Sequence, residues 1–183
     1  MMTRILEFLT TLVNRLHKRL NNVNNINENV TTFFELLVNL SHNQVKYILV
    51  GGLAVDFCGY SRATHDVDII IEYSETNINL LLSCLSHFGE GSAKELSYED
   101  FDLEEGCIRI VEHYPLDIFT IMRGNVYQDL LQYVEIDKIA DTQIPYLNAK
   151  GLIKLKKESL RPKDQIDVQT LQSLMESNTN ATR

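Results

Sequence analysis

Val50-Gly51-Gly52-Leu53-Ala54-Val55-Asp56-Phe57-Cys58-Gly59-Tyr60-Ser61-Arg62-Ala63-Thr64-His65-Asp66-Val67-Asp68-Ile69 is the stretch whose reading decides the fold. Residues two apart in a strand share a face, so Asp66 and Asp68 present two carboxylates side by side while Val67 and Ile69 face the core. Adjacent carboxylates repel unless positive charge sits between them. A hard divalent cation such as magnesium or manganese removes the conflict, because it takes oxygen ligands and keeps positions open for phosphate oxygens. Gly51 and Gly52 end one apolar strand and precede a short helix, an arrangement that lets backbone N–H groups approach phosphate at a helix N-terminus. Alone, an Asp-x-Asp pair is often a solvated strand end, and a Gly pair is more often a plain turn. Together, thirteen residues apart and each beside its own hydrophobic strand, they are much harder to obtain by accident.

Outward from this stretch the pattern alternates between helix and strand. Met2, Leu6, Leu9, Val13, Leu16 and Leu20 recur at spacings of four and three, which predicts an amphipathic first helix packed on its own domain or on a second copy. The Asn-rich run Asn21 to Asn29 reads as a linker, so residues 1–28 form an extension and 29–176 the main domain. A helix is expected from Thr31 to Ser41, a strand over Val45 to Val50, a short helix from Leu53 to Cys58 and a strand over Val67 to Ile71. Asn77 to Phe88 carries leucines at helical spacing. Residues Gly89 to Gly106 are acidic and glycine-containing and read as a mobile or solvated connection. Strands follow at Cys107 to Val111 and Leu116 to Ile121. Pro145 precedes a helix from Asn148 to Leu160, Pro162 opens a last helix to Met175, and residues 177–183 read as a frayed tail.

The 183 residues are 44% hydrophobic and 23% charged, which fits one ordinary domain with extensions. A net charge of -8 argues against a broad cationic face gripping nucleic acid, and suits a small ligand brought in by metal. Cys58, Cys84 and Cys107 form no CxxC pair and read as buried, reduced thiols. The uncharged run from Phe8 to Asn14 is too short to span a bilayer, so a cytosolic protein without membrane contact is expected.

The run of a hydrophobic residue, Gly51-Gly52, thirteen residues and then Asp66-Val67-Asp68-Ile69 resembles the signature of the DNA polymerase β-like nucleotidyltransferase superfamily. Lys46 to Ala54 and Gly59 to Thr64 are similar to small bacterial members of the group that includes the AbiEii-type toxins. The resemblance implies an α+β nucleotidyltransferase fold, a small mixed β-sheet flanked by helices with helical extensions at both ends. It implies a third acid from a later strand, and Pro115-Leu116-Asp117-Ile118-Phe119 supplies Asp117, a charge that would be costly among apolar neighbours without a role. Leu152 to Lys157 and Arg161-Pro162-Lys163-Asp164-Gln165-Ile166-Asp167 look like the closing element of these proteins, so the match covers about Thr31 to Leu174. On that pattern Asp66, Asp68 and Asp117 hold magnesium or manganese. Lys156 is the best candidate to meet triphosphate oxygens, with Arg62, Thr64, Gly51 and Gly52 completing the nucleotide site. Lys163 reads about equally well as a solvated helix face, and Asp164 and Asp167 as caps in the first turn of the last helix.

The implied activity is transfer of a nucleoside monophosphate from an NTP such as ATP to a hydroxyl acceptor, with release of pyrophosphate. Asp117 would help hold a second metal or accept the proton of the attacking hydroxyl. The superfamily modifies RNA ends, protein hydroxyls and small molecules, and a tRNA end remains compatible through a local basic patch of Lys154, Lys156, Lys157, Arg161 and Lys163. A non-catalytic relative acting as half of a toxin–antitoxin pair is the main rival, against which retention of three aspartates counts. A sugar-nucleotide glycosyltransferase would also use Asp-x-Asp but gives no reason for Gly51 and Gly52. His65, a departure from the relatives, reads as a partly exposed strand-end residue, and Asp56 as a helix-surface residue.

Overall fold

The computed structural model describes residues 26–181 apart from 90, 113 and 140, and side chains within 33–177. The expected first helix over Met2 to Leu20 lies outside the described residues. In chain order the elements are α1 (Ile26–His42), β1 (Tyr47–Val50), α2 (Gly51–Phe57), β2 (Val67–Ile71), α3 (Glu75–Leu85), β3 (Ile108–Val111) and β4 (Pro115–Phe119). There follow the two-residue strands β5 (Ile121–Met122) and β6 (Asn125–Val126), then α4 (Tyr127–Leu130), β7 (Val134–Ile139), β8 (Thr142–Leu147), α5 (Ala149–Lys156) and α6 (Pro162–Ala181). Six strands form one mixed sheet in the order β3-β4-β2-β1-β8-β7, and β5 pairs with β6 apart from it. The expected small mixed sheet with flanking helices is therefore present.

Strands β1 and β2 lie at the centre, and their near-continuous apolar sequences follow from burial on both faces. Pleating sends Tyr47, Leu49, Val67, Ile69 and Ile71 to one face, where the Tyr47 hydroxyl donates to the Leu37 carbonyl of α1 at 3.0 Å. The ends of β1 and β2 would leave backbone groups without partners. Asn77, 2% exposed on α3, supplies them: its Oδ1 accepts from the Lys46 N–H at 2.7 Å, and its Nδ2 donates to the carbonyls of Lys46 at 3.0 Å and Glu72 at 2.9 Å.

Several expectations need correction. Helix α1 begins at Ile26, inside the Asn-rich run read as a linker, and α6 continues to Ala181 through most of the stretch read as a frayed tail. Helix α5 stops at Lys156 rather than near Leu160, whose side chain is 91% exposed. The connection between Gly89 and Gly106 is largely solvent-exposed, as expected, but it is also tied to the sheet. It forms 3-10 turns at Ser92–Glu95 and Tyr98–Asp100, buries Ala93 and Phe101, and is anchored where the Ser92 N–H donates to Glu112 at 2.6 Å and the Thr120 hydroxyl donates to the Asp102 carbonyl. Pro145 sits within β8, opposite Ile136 of β7. A proline has no N–H for a ladder, and the β1–β8 pairing is correspondingly short, with Leu49 opposite Tyr146.

Replacing Asn77 with Ala removes three hydrogen bonds to backbone and strands the Lys46 amide, so urea denaturation should show a loss of about 2–4 kcal/mol. A change within about 0.5 kcal/mol, the range of an ordinary surface substitution, would mean that water fully replaces the side chain.

Candidate active site

The site begins with a register. Strands β2 and β4 run parallel with Asp68 opposite Asp117, so both side chains leave the same face of the sheet, and Asp66 precedes Asp68 by two residues on that side. One carboxylate oxygen from each of the three lies within 4.8 Å of the others. Asp117 is 5% exposed. Antiparallel β3 sets Arg109 opposite Asp117, and its guanidinium grips that carboxylate through Nε and Nη2, each at 2.6 Å. The Thr64 hydroxyl donates to Asp66 Oδ1 at 2.9 Å. Asp68 is the least compensated of the three: burial above all, then the charges of Asp66 and Asp117, push its carboxyl up to about 6, against the pull of the Lys156 charge and the Gly52 N–H.

The two glycines explain themselves through the same carboxylate. Val50 is the antiparallel partner of Asp68, so the chain leaving β1 turns directly over the Asp68 side chain. Gly51 has φ +66°, and a Cβ there would stand 1.9 Å from Asp68 Oδ2. At Gly52 a Cβ would stand 2.7 Å from the Thr64 hydroxyl, while its own N–H is bonded to Asp68. The Gly pair and the Asp-x-Asp pair are two sides of one close contact.

Helices α5 and α6 build the facing wall. Lys156 Nζ lies 2.7 Å from Asp164 Oδ1 and 3.0 Å from Asp167 Oδ2, and Arg62 holds Asp167 through Nε at 2.8 Å and Nη2 at 3.0 Å. Asp167 is 0% exposed, so a single buried carboxylate anchors two cations. Asp164 also accepts from Ser159 at 2.7 Å; burial raises its carboxyl, but the bonds from Lys156 and Ser159 outweigh that and hold it below the usual range. The expectation that both residues cap α6 is thereby corrected: Asp164 lies in the first turn but is spent on Lys156 and Ser159, and Asp167 lies beyond the first turn.

The three aspartates open into a cavity of about 560 Å³ that also takes in Gly51, Gly52, Arg62 and Lys156. Its rim carries Arg109, Arg123, Arg161 and Lys163, and of these only Arg109 has an ion pair among the described residues. Thr64 lies outside the lining and reaches the site through Asp66, and His65 is exposed and also outside it. Asp56 departs from its surface reading, since its Oδ1 is buried without a hydrogen-bond partner among the described residues. The cysteines are unpaired, as expected; Cys84 is buried, but Cys107 is exposed and lines the cavity. The anticipated basic patch does not form one surface, because Lys154 donates to Asn125 at 2.5 Å and lies over the Tyr133 ring, and Lys156 turns inward. Arg109 was absent from the sequence-based set, yet a short connection between strands at 111 and 115 sets residues 109 and 117 opposite one another in a hairpin.

In metal-free buffer the raised Asp68 carboxyl has a defined sign. Its contribution to stability is fully present below pH 3.8 and is lost as pH rises through about 6, an effect of roughly 2–3 kcal/mol. Asp68→Asn should therefore flatten this part of the profile and melt higher than the parent at pH 7; parallel melting curves from pH 4 to pH 7 would contradict it. Separately, Asp167→Ala leaves Arg62 and Lys156 without their shared anion and should cost about 3–5 kcal/mol in chemical denaturation. A cost below about 1 kcal/mol, that of an exposed pair, would show that the wall does not depend on this carboxylate.

No known family profile and no curated protein sequence matches the chain. Among solved structures it is similar to the lincosamide antibiotic adenylyltransferase LnuA in its lincomycin-bound crystal structure, with a TM-score of 0.54 and 20% identity, over 79% of this chain and 96% of that one. The mixed sheet, its flanking helices and this likeness together give the chain a nucleotidyltransferase-like fold.

Proposed function

We propose that the chain transfers a nucleoside monophosphate from an NTP, with ATP the first candidate, to a hydroxyl acceptor and releases pyrophosphate. The observation that carries this reading is the meeting of Asp66, Asp68 and Asp117 within 4.8 Å in a cavity rimmed by cations. Three hard oxygen donors with uncompensated charge at Asp68 fit a divalent ion, magnesium or manganese. Bound there, the ion supplies positive charge to the phosphate oxygens and the leaving pyrophosphate.

The chain's own residues then have separable tasks. Asp66 and Asp68 provide ligand oxygens, Asp66 oriented by the Thr64 hydroxyl and Asp68 by the Gly52 N–H. Arg109 takes one lone pair on each Asp117 oxygen, which leaves outer lone pairs for a cation or for the proton of the attacking hydroxyl. Lys156 and Arg62 line the nucleotide side as donors fixed by Asp167, and Gly51 and Gly52 keep that side open. Positioning and charge stabilisation carry most of such a reaction, so a rigid wall serves it.

A small molecule is the acceptor class we favour. The cations gather around one recessed cavity rather than along an extended face, and LnuA, which shares the fold, is a lincosamide adenylyltransferase. A narrower kinship with AbiEii-type proteins rests on the runs Lys46 to Ala54 and Gly59 to Thr64. Incubation with α-labelled NTPs, magnesium and a panel of hydroxylated small molecules should yield labelled product, and Asp66→Asn should lower its rate by a factor of about 10³ or more. Undiminished transfer by the Asn variant would remove the aspartates from the reaction.

A further inference from the structure

The hairpin of β5 and β6 turns on Arg123 and Gly124, with φ of +53° and +68°, and pairs Met122 with Asn125 across the turn. Two successive positive φ values in a two-residue loop are the pattern of a type I′ turn, whose first position favours Asn, Asp or Gly. An arginine side chain gains nothing from the left-handed conformation and is disfavoured there. The strain is held in place from beneath. The Glu105 carboxylate accepts the Arg123 N–H at 3.2 Å and the Gly124 N–H, and Glu105 itself forms a bridge with Ile121.

Arg123 is meanwhile among the residues that line the cavity holding the three aspartates. It is exposed, with no ion pair among the described residues, whereas Arg62, Lys156 and Arg109 are each engaged by a buried aspartate. Unpaired positive charge on the cavity wall, kept there by an unfavourable backbone, has a counterpart in a ligand rather than in the protein. A guanidinium fork matches the oxygens of phosphate. We propose that Arg123 contacts the polyphosphate of the nucleotide, and that the turn retains arginine for this contact at the expense of turn stability. The inference rests on the nucleotide-transfer reading above.

Stability and binding should then move in opposite directions. For the full chain with magnesium, calorimetric titration of inorganic tripolyphosphate should show affinity falling about tenfold or more in Arg123→Asn, while its ligand-free melting temperature rises. Arg123→Lys keeps the charge but not the fork, so it should lose less affinity than Arg123→Asn and gain no melting temperature. Unchanged tripolyphosphate affinity in Arg123→Asn, beside a parent that binds, overturns the assignment and leaves nucleotide transfer standing. A lowered melting temperature in Arg123→Asn overturns it as well, since the arginine would then serve the fold. A parent chain that binds neither tripolyphosphate nor any NTP overturns both readings together.

Discussion

Parallel pairing of β2 with β4 in the register that sets Asp68 beside Asp117 forces like charges together, and the surrounding structure is organised by that constraint. Each carboxylate is met differently. Asp117 receives a bidentate guanidinium from the neighbouring strand, Asp66 a hydroxyl two residues away, and Asp68 little beyond a backbone N–H and a lysine charge. The compensation is graded, so one member of the trio keeps an affinity for positive charge that the protein does not satisfy by itself. A fully neutralised trio would hold an added cation weakly, and a wholly uncompensated one would strain the sheet.

The same logic reconciles an acidic chain with a cavity ringed by cations. Net charge describes the far field, whereas a recessed wall of low dielectric concentrates its own local field. Here the cations divide into two sets. Arg62, Lys156 and Arg109 are locked to buried carboxylates and act as fixed architecture, and Arg123, Arg161 and Lys163 stand at the rim without an ion pair among the described residues. A phosphate-bearing ligand entering such a site meets donors that are already oriented and others that are free to reach.

What could be read in the sequence was whatever depends on short spacing. Period-two alternation gave the Asp66 and Asp68 face, and the apolar run Val67 to Ile71 gave the central strand. Asp117 was legible only through resemblance, because its closeness to Asp68 is a matter of strand order and register, which no local pattern encodes. The β7–β8 hairpin escaped for a different reason: Pro145 reads as a strand breaker, and the charged residues Glu135, Asp137 and Lys138 on an edge strand dilute the apolar alternation. Asp167 could pass for a cap because its proximity to α6's start was visible and its burial against Arg62, 105 residues away, was not.

That separation in sequence has an outcome in time. Synthesis proceeds from the N-terminus, and the carboxylate that fixes Arg62 and Lys156 belongs to α6, which follows every other described element. A chain still emerging from the ribosome presents the sheet strands and the trio of acids first, and the opposite wall waits for residue 167. The fixing of Arg62 and Lys156 is therefore completed late in translation, and a product cut short before α6 would carry the three acids without the carboxylate that holds those two cations.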